Sequence, residues 1–229
     1  MGRIISILNE LWRLNIARTI YYNLRILGFQ YGLNFPLFIY RGGKILGIRR
    51  NCIEIHSSPK PGLIRIGKTL TQLSNSQTVI SIRLGKLIFK GSSIIGRGSC
   101  IFLDSAIVEI GDSFSCSGNL RLIGCNKIVI GDDCMFSWDV TILDSDNHPI
   151  FNETGTRLNP PMPVHIGNHV WLGCNVTILK GSNIADNSVV AACTCVASNC
   201  KTPNAIYLNA NAKVKSIKEN INWSKDYSY

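Results

Sequence analysis

The sequence predicts an all-β chain wound as a parallel β-helix of hexapeptide repeats, and two observations predict it. Ile166, Leu172, Ile178, Ile184, Val190 and Val196 follow one another at intervals of six residues. That period is neither the roughly 3.6 of an amphipathic helix nor the roughly 2 of a half-buried strand. It suits a solenoid in which each turn packs only on its neighbours. The second observation is the recurring Gly-Asp or Gly-Asn after an aliphatic residue, as in Ile110-Gly111-Asp112 and Ile130-Gly131-Asp132. Such pairs fit tight corners, where a positive backbone angle is cheap for Gly, Asn and Asp.

In chain order, residues 1–29 read as a helix. Ile4, Leu8, Leu11, Trp12, Ala17, Ile20, Tyr21, Leu24 and Leu27 recur at steps near three and four, with Arg3, Arg13, Arg18 and Arg25 among the polar positions. Two readings stand side by side: a cap shielding the open end of the solenoid from edge pairing, and an interfacial helix resting on the inner membrane surface. From about Ile45 the repeats begin but drift in phase. Phe89, Ile95, Ile101 and Ile107 keep the interval of six, and the count restarts at Ile130, Phe136 and Ile142. Residues 144–163 break it, with Pro149, Pro160, Pro161 and Pro163 marking a protruding loop. The clean repeat follows and ends near Cys200. The expected division is therefore a helical cap or membrane-surface segment over 1–44, a β-helix over 45–200, and a basic tail over 201–229.

Charge divides along the same lines. Of the net +10, residues 1–100 carry +13, residues 101–200 carry −6, and residues 201–229 carry +3. Basic ends favour an anionic partner: a phosphorylated cofactor, an acidic glycan or an anionic membrane. No nucleic-acid motif accompanies the charge, so nucleic acid is not an expected partner. The nine cysteines form no CxxC pair. Eight of them (Cys100, Cys116, Cys125, Cys134, Cys174, Cys193, Cys195 and Cys200) read as small buried fillers of the repeat region. An odd count without disulfide or zinc spacing points to a reducing, cytoplasmic setting. The opening Ile4-Ile5-Ser6-Ile7-Leu8, broken by Asn9, Glu10 and Arg13, reads as neither a signal peptide nor a span.

The chemistry centres on Asp144-Ser145-Asp146-Asn147-His148-Pro149 at the start of the loop. A histidine between repeats suits general-base work because its pKa lies near neutrality. Asp144 and Asp146 either orient the imidazole and hold hydroxyl groups or cap the turn that launches the loop. Trp171 is expected to face a groove, and Trp138 is a candidate aromatic wall. His165 and His169, four apart, would suggest metal on a helix but not on hexapeptide coils. Together with His56 they read as surface or packing residues.

Asp144 to Pro149, the following loop, Ile166-Gly167-Asn168-His169-Val170-Trp171-Leu172-Gly173 and the repeats to Cys200 resemble the hexapeptide-repeat O-acetyltransferases. That family includes galactoside and maltose acetyltransferases and the enzymes that modify capsule and O-antigen polysaccharides. The resemblance is specific over roughly 128–215. It implies a left-handed β-helix, a homotrimer with active sites between subunits, acetyl-CoA as donor and a carbohydrate acceptor, with no metal. It makes His148 the base, with Trp171 and Asp146 beside it and Trp138, Asp144 and Asn147 toward the sugar. Gly173 and Cys174 would lie by the thioester, where a backbone N–H could stabilise an oxyanion. Ala192 would lie along the pantetheine with Ser198 beyond it. The chain departs from the family where Ala197-Ser198 replaces the usual Thr-Lys and Asn209-Ala210-Asn211-Ala212 replaces Gly-x-Pro-Ala. Lys213 and Lys215 are then expected, with Lys201, to supply the missing cation for the CoA phosphates. Two other classes fit the repeats less well: a zinc carbonic anhydrase of the same fold, which needs three converging histidines, and a non-enzymatic β-helical scaffold or ice-binding surface, which wants regular threonine rows.

Overall fold

A computed structural model describes residues 10–70, 76–210 and 213–225. Its 23 strands build three sheets of nine, seven and seven strands. The first coil is β1 (Leu37–Ile39), β2 (Gly43–Leu46) and β3 (Ile53–Ile55), one strand in each sheet. Thereafter every third strand pairs in parallel with the strand one coil earlier, and only the last pair, β22 (Ile206–Ala210) with β23 (Lys213–Lys218), is antiparallel. This is the left-handed parallel β-helix expected, a three-sided prism with one sheet on each side. The strand ladder crosses both expected boundaries, since β1 precedes residue 45 and β22 follows residue 200.

The core is a column of side chains along the prism axis. Ile166, Leu172, Ile178, Ile184, Val190 and Val196 are all buried, each turned inward from one strand of successive sheets. Full burial of such a side chain contributes about 1.5–3 kcal/mol, so the six-residue count is the fold's main energetic signal. Ile107 breaks the expected pattern: it is 43% exposed and Val108 takes the inward place. The cysteines correct a second expectation. Cys116, Cys134 and Cys200 are buried fillers, as is Cys52, whereas Cys100, Cys193 and Cys195 are exposed.

The corner between the third and first sheets explains the Gly-Asp and Gly-Asn pairs, though not by the expected route. The positive φ falls later, at Ser113, Asp133 and His169. Gly111, Gly131 and Gly167 are needed because a Cβ there would lie 2.4, 2.6 and 2.3 Å from the adjoining coil. The Asp or Asn after each glycine, and Asp186 after Ala185 in the next coil, reaches back one coil. Asp112 accepts from Ser92 N (2.6 Å), Asp132 from Asp112 N (2.7 Å), Asn168 from Asp132 N (2.8 Å) and Asp186 from Asn168 N (2.7 Å).

The N-terminal helix is interrupted. Residues 10–13 are helical, Leu14 bridges Tyr40, and α1 (Ile16–Gly32) restarts at Asn15, whose side chain accepts from Arg18 N. Gly28 is non-helical at φ 77°, so the helix reaches past residue 29 only across a kink. Residues 1–9, where the helical expectation begins, lie outside the described residues. The inner face of α1 completes the open edge of β1. Thr19 Oγ1 accepts from Ile39 N, and the Asn23 side chain both accepts from Leu37 N and donates to Leu37 O. Tyr22 and Ile26 extend the core beneath. Side chains here stand in for a neighbouring strand, which is one way to blunt a sheet edge.

The other end closes with a strap. After β23 the chain runs back along the corner of the third and first sheets, with Ile221 N donating to Asn204 O. Trp223 stacks on His169 at 4.0 Å and donates its indole N–H to His169 O. Lys225 Nζ reaches Asp133 (2.7 Å) and Ser113 O (2.6 Å).

Candidate active site

The loop lies between β14 (Thr141–Leu143) of the second sheet and β15 (Val164–Ile166) of the third, so it leaves the prism at their common corner. Its first residue turns inward. Asp144 is fully buried, and its two carboxylate oxygens accept from Cys125 N (2.7 Å) and Asn126 N (2.8 Å). Burial pushes its carboxyl up against those backbone bonds. Asp144 therefore caps the coil beneath, and of its two expected roles the sugar contact is withdrawn, since no face of it is left for a ligand.

His148 is exposed on this loop, and its imidazole makes no hydrogen bond to another described residue. What holds it in place is the backbone. Asn159, nearly buried, donates to His148 O (2.8 Å) and to Asp146 Oδ2 (2.8 Å) and accepts from Ile150 N (2.6 Å). Lys180 Nζ meets the same Asp146 oxygen at 2.5 Å. The Lys180 hydrogen bond, then that from Asn159, holds the exposed Asp146 carboxyl below its ordinary value. Asp146 thus anchors the loop to the next coil, and among the described residues it makes no hydrogen bond to the imidazole. Asn147 is exposed with φ 61°, its N–H donating to Ser145 Oγ (3.0 Å) and its side-chain oxygen accepting from Cys125 Sγ (3.6 Å).

Trp171 lies elsewhere. It opens β16 (Trp171–Leu172) in the first sheet, lies 5.9 Å from Trp223, and donates its indole N–H to Ser137 Oγ (3.2 Å). Ser137 precedes Trp138, which ends β13 (Met135–Trp138) and is 38% exposed. Trp171 thus lies on the outer side of the first sheet, and Trp138 is exposed where that sheet's strand ends. The histidine corner is opposite that sheet, so one chain alone does not bring His148 to Trp171.

The residues expected along the donor fall into three places. Gly173, Cys174 and Ala192 occupy the corner between the first and second sheets, where a Cβ on Gly173 would lie 2.7 Å from Ala192 N. Gly173 donates its N–H to Val190 O (2.8 Å), so it is not available to an oxyanion. Cys174 N–H has no backbone acceptor among the described residues and remains the candidate donor. Ser198 is exposed at the histidine's own corner, between β20 (Cys195–Val196) and β21 (Asn199–Cys200). Lys213 and Lys215 are exposed on β23 at the end of the first sheet. Asn209 clarifies the departure from the usual turn: its side chain bonds both Cys195 N (2.6 Å) and Cys195 O (3.1 Å), closing the second sheet's last edge.

The histidines do not converge. His165 points out of the third sheet, while His169 is packed at its corner with the first, bonded to Asp133 (2.6 Å) and Trp223 O (3.0 Å). Sequence reasoning missed Asn159, Lys180 and Trp223. Only Trp223 carried a signal, as an aromatic residue in an otherwise polar tail.

No family model matches the chain. It is 34% identical over 128 residues to the polysialic acid O-acetyltransferase of Neisseria meningitidis, covering 49% of this chain and 60% of that one. It is 33% identical over 125 residues to the galactoside O-acetyltransferase of Escherichia coli, covering 53% and 59%. The match therefore spans less than two thirds of either relative's length. The solved polysialic acid O-acetyltransferase OatWY shares 27% identity and a TM-score of 0.51, covering 82% of this chain and 93% of that one. These likenesses do not favour the carbonic anhydrase or scaffold readings. In its prism, its interrupting loop and its sequence, the chain is similar to the hexapeptide-repeat O-acetyltransferases.

Proposed function

We propose that the protein moves an acetyl group from acetyl-CoA to a hydroxyl of a cell-surface polysaccharide or of its precursor, with His148 as general base. The observation that carries this reading is an exposed imidazole, with no hydrogen-bond partner among the described residues, on a loop whose backbone is fixed by Asn159, Asp146 and Lys180. In the step proposed, one imidazole nitrogen takes the sugar hydroxyl's proton as its oxygen attacks the thioester carbonyl. Cys174 N–H would receive the developing oxyanion. Collapse expels the CoA thiolate, which takes the proton back from the imidazolium. A base of this kind is worth about 10²–10⁴-fold in rate.

Because His148 and the Trp171–Trp138 surface lie on opposite sides of one prism, the reading requires that a second copy complete the site, as in a trimer. Trp171 and Trp138 would then wall the pocket against the histidine of a neighbouring subunit, with Asn147 toward the sugar. Ala192 and Ser198, both exposed, fit a donor lying along the coils. Lys213 and Lys215, exposed at the end of the first sheet, would supply the cation that the chain lacks in reading Ala197-Ser198 for the usual Thr-Lys. The relatives' names support an acetylated glycan as product.

The test is thiol release from acetyl-CoA across a panel of surface polysaccharides and simple sugars. Acceptor-dependent release supports the reading, and the responding glycan names the substrate. Release by none of the acceptors, from protein shown to be folded, would overturn it.

A further inference from the structure

The helix α1 has two apolar faces, and the fold uses one of them. Tyr22 and Ile26 enter the core, with Thr19 and Asn23 beside them closing β1. On the far side, Ile16, Ile20, Tyr21 and Phe29 are 62%, 43%, 54% and 73% exposed, and Trp12 is 72% exposed just ahead of them. A helix that is apolar all round is ordinarily covered on every side. Isolated exposed hydrophobic residues need no explanation, but a contiguous set on one helix marks a contact surface.

Charge identifies what covers it. Residues 10–50 contain six arginines and Lys44 against one acid, Glu10. Glu10 is taken up by Tyr40, Lys68 and Arg65. Arg13, Arg25, Arg41 and Arg50 are exposed, and no acid among the described residues pairs with any of them. Arg41 lies over the Trp12 ring at 4.4 Å, a guanidinium and an indole at the same edge of the patch. A second copy seated on this face by a twofold axis would bring arginines against arginines, with no carboxylate to offset them. An anionic bilayer offers both things the surface lacks, acyl chains for the aliphatic stripe and phosphates for the guanidinium groups. No described helix is long and apolar enough to cross a membrane, so the geometry is that of a helix lying in the interface.

We infer that the outer face of α1 docks the protein on an anionic lipid surface. The inference rests on no assignment of the reaction. It is tested by floating the full chain with phosphatidylcholine vesicles that contain or lack phosphatidylglycerol. Binding is expected only with the anionic lipid, and it should weaken as salt rises. The pair Arg13→Gln with Arg25→Gln should weaken it by about tenfold or more, and the pair Ile20→Ser with Phe29→Ser should abolish it. All four side chains are exposed, so unchanged melting should confirm that both variants are folded. No flotation of wild type, equal flotation without phosphatidylglycerol, or variants that float like wild type would each overturn the inference. So would a sedimentation mass that falls when Ile20 and Phe29 are replaced, since a second copy would then be the occupant.

Discussion

The coils after the active-site loop and the coils before it are built to different measures. Behind the loop, the corner bond from Asn168 N to Asp186 spans 18 residues, and the strands β16 to β21 are two residues long. Ahead of it, the equivalent bonds from Ser92 and Asp112 span 20 residues, and the strands within residues 64–138 are four or five residues long. Eighteen is three sixes and keeps one phase. Twenty shifts it by two residues per coil, so an interval of six can begin on buried Phe89, Ile95 and Ile101 and end on exposed Ile107. A repeat is legible in sequence only when its corners have constant length. The inward face is conserved in geometry where the count is lost.

This comparison can be sharpened by substitution. Phe136, in edge contact with Phe114 at 5.0 Å, sits where the two halves meet, and Phe136→Ala should cost about 3–5 kcal/mol by denaturant unfolding. Ile101→Ala should cost about 2–5 kcal/mol, whereas Ile107→Ala, from the same run of sixes, should stay within about 0.5 kcal/mol. Equal costs at 101 and 107 would break the account of the phase shift. Asn159→Ala should lower turnover about 10–100-fold by loosening the histidine loop, with little change in KM for acetyl-CoA. A fall in melting temperature without a fall in turnover would make Asn159 structural only.

Smaller effects belong to the corner. Gly167→Ala must displace Asp186 Oδ1, 2.3 Å from the new Cβ, at about 1–3 kcal/mol, while Asn168→Ala loses a single bond at about 0.5–1.5 kcal/mol. The smallest effect is in pH. Burial raises the Asp133 carboxyl, but bonds from Lys225 and His169 outweigh it and hold the group below its ordinary value. A depressed carboxylate contributes stability that is present above the ordinary carboxylate range and lost as pH falls through its folded value. Melting of wild type should therefore fall more steeply below about pH 4 than that of Asp133→Asn. Asp144, raised by burial, works in the opposite sense.

Much of this was readable in advance. The inward ladder of a parallel β-helix follows from spacing and from glycine placement. The residues that tie distant segments were not readable. Asn159, thirteen residues from Asp146, and Trp223, fifty-four from His169, act through contacts no local period records. Asp144 was legible only as two alternatives, because an aspartate beside a histidine looks the same in sequence whether it faces ligand or backbone. Gly131 and Gly167 were found for a reason the structure replaces, close packing in place of a positive φ.

The most direct measurement is acceptor-dependent release of CoA by wild type and His148→Ala side by side, with melting of both as control. The account predicts a loss of about 10²–10⁴-fold in the variant at unchanged melting, because the exposed imidazole supports nothing in the fold. Release that survives the substitution would contradict the assignment of His148 as base.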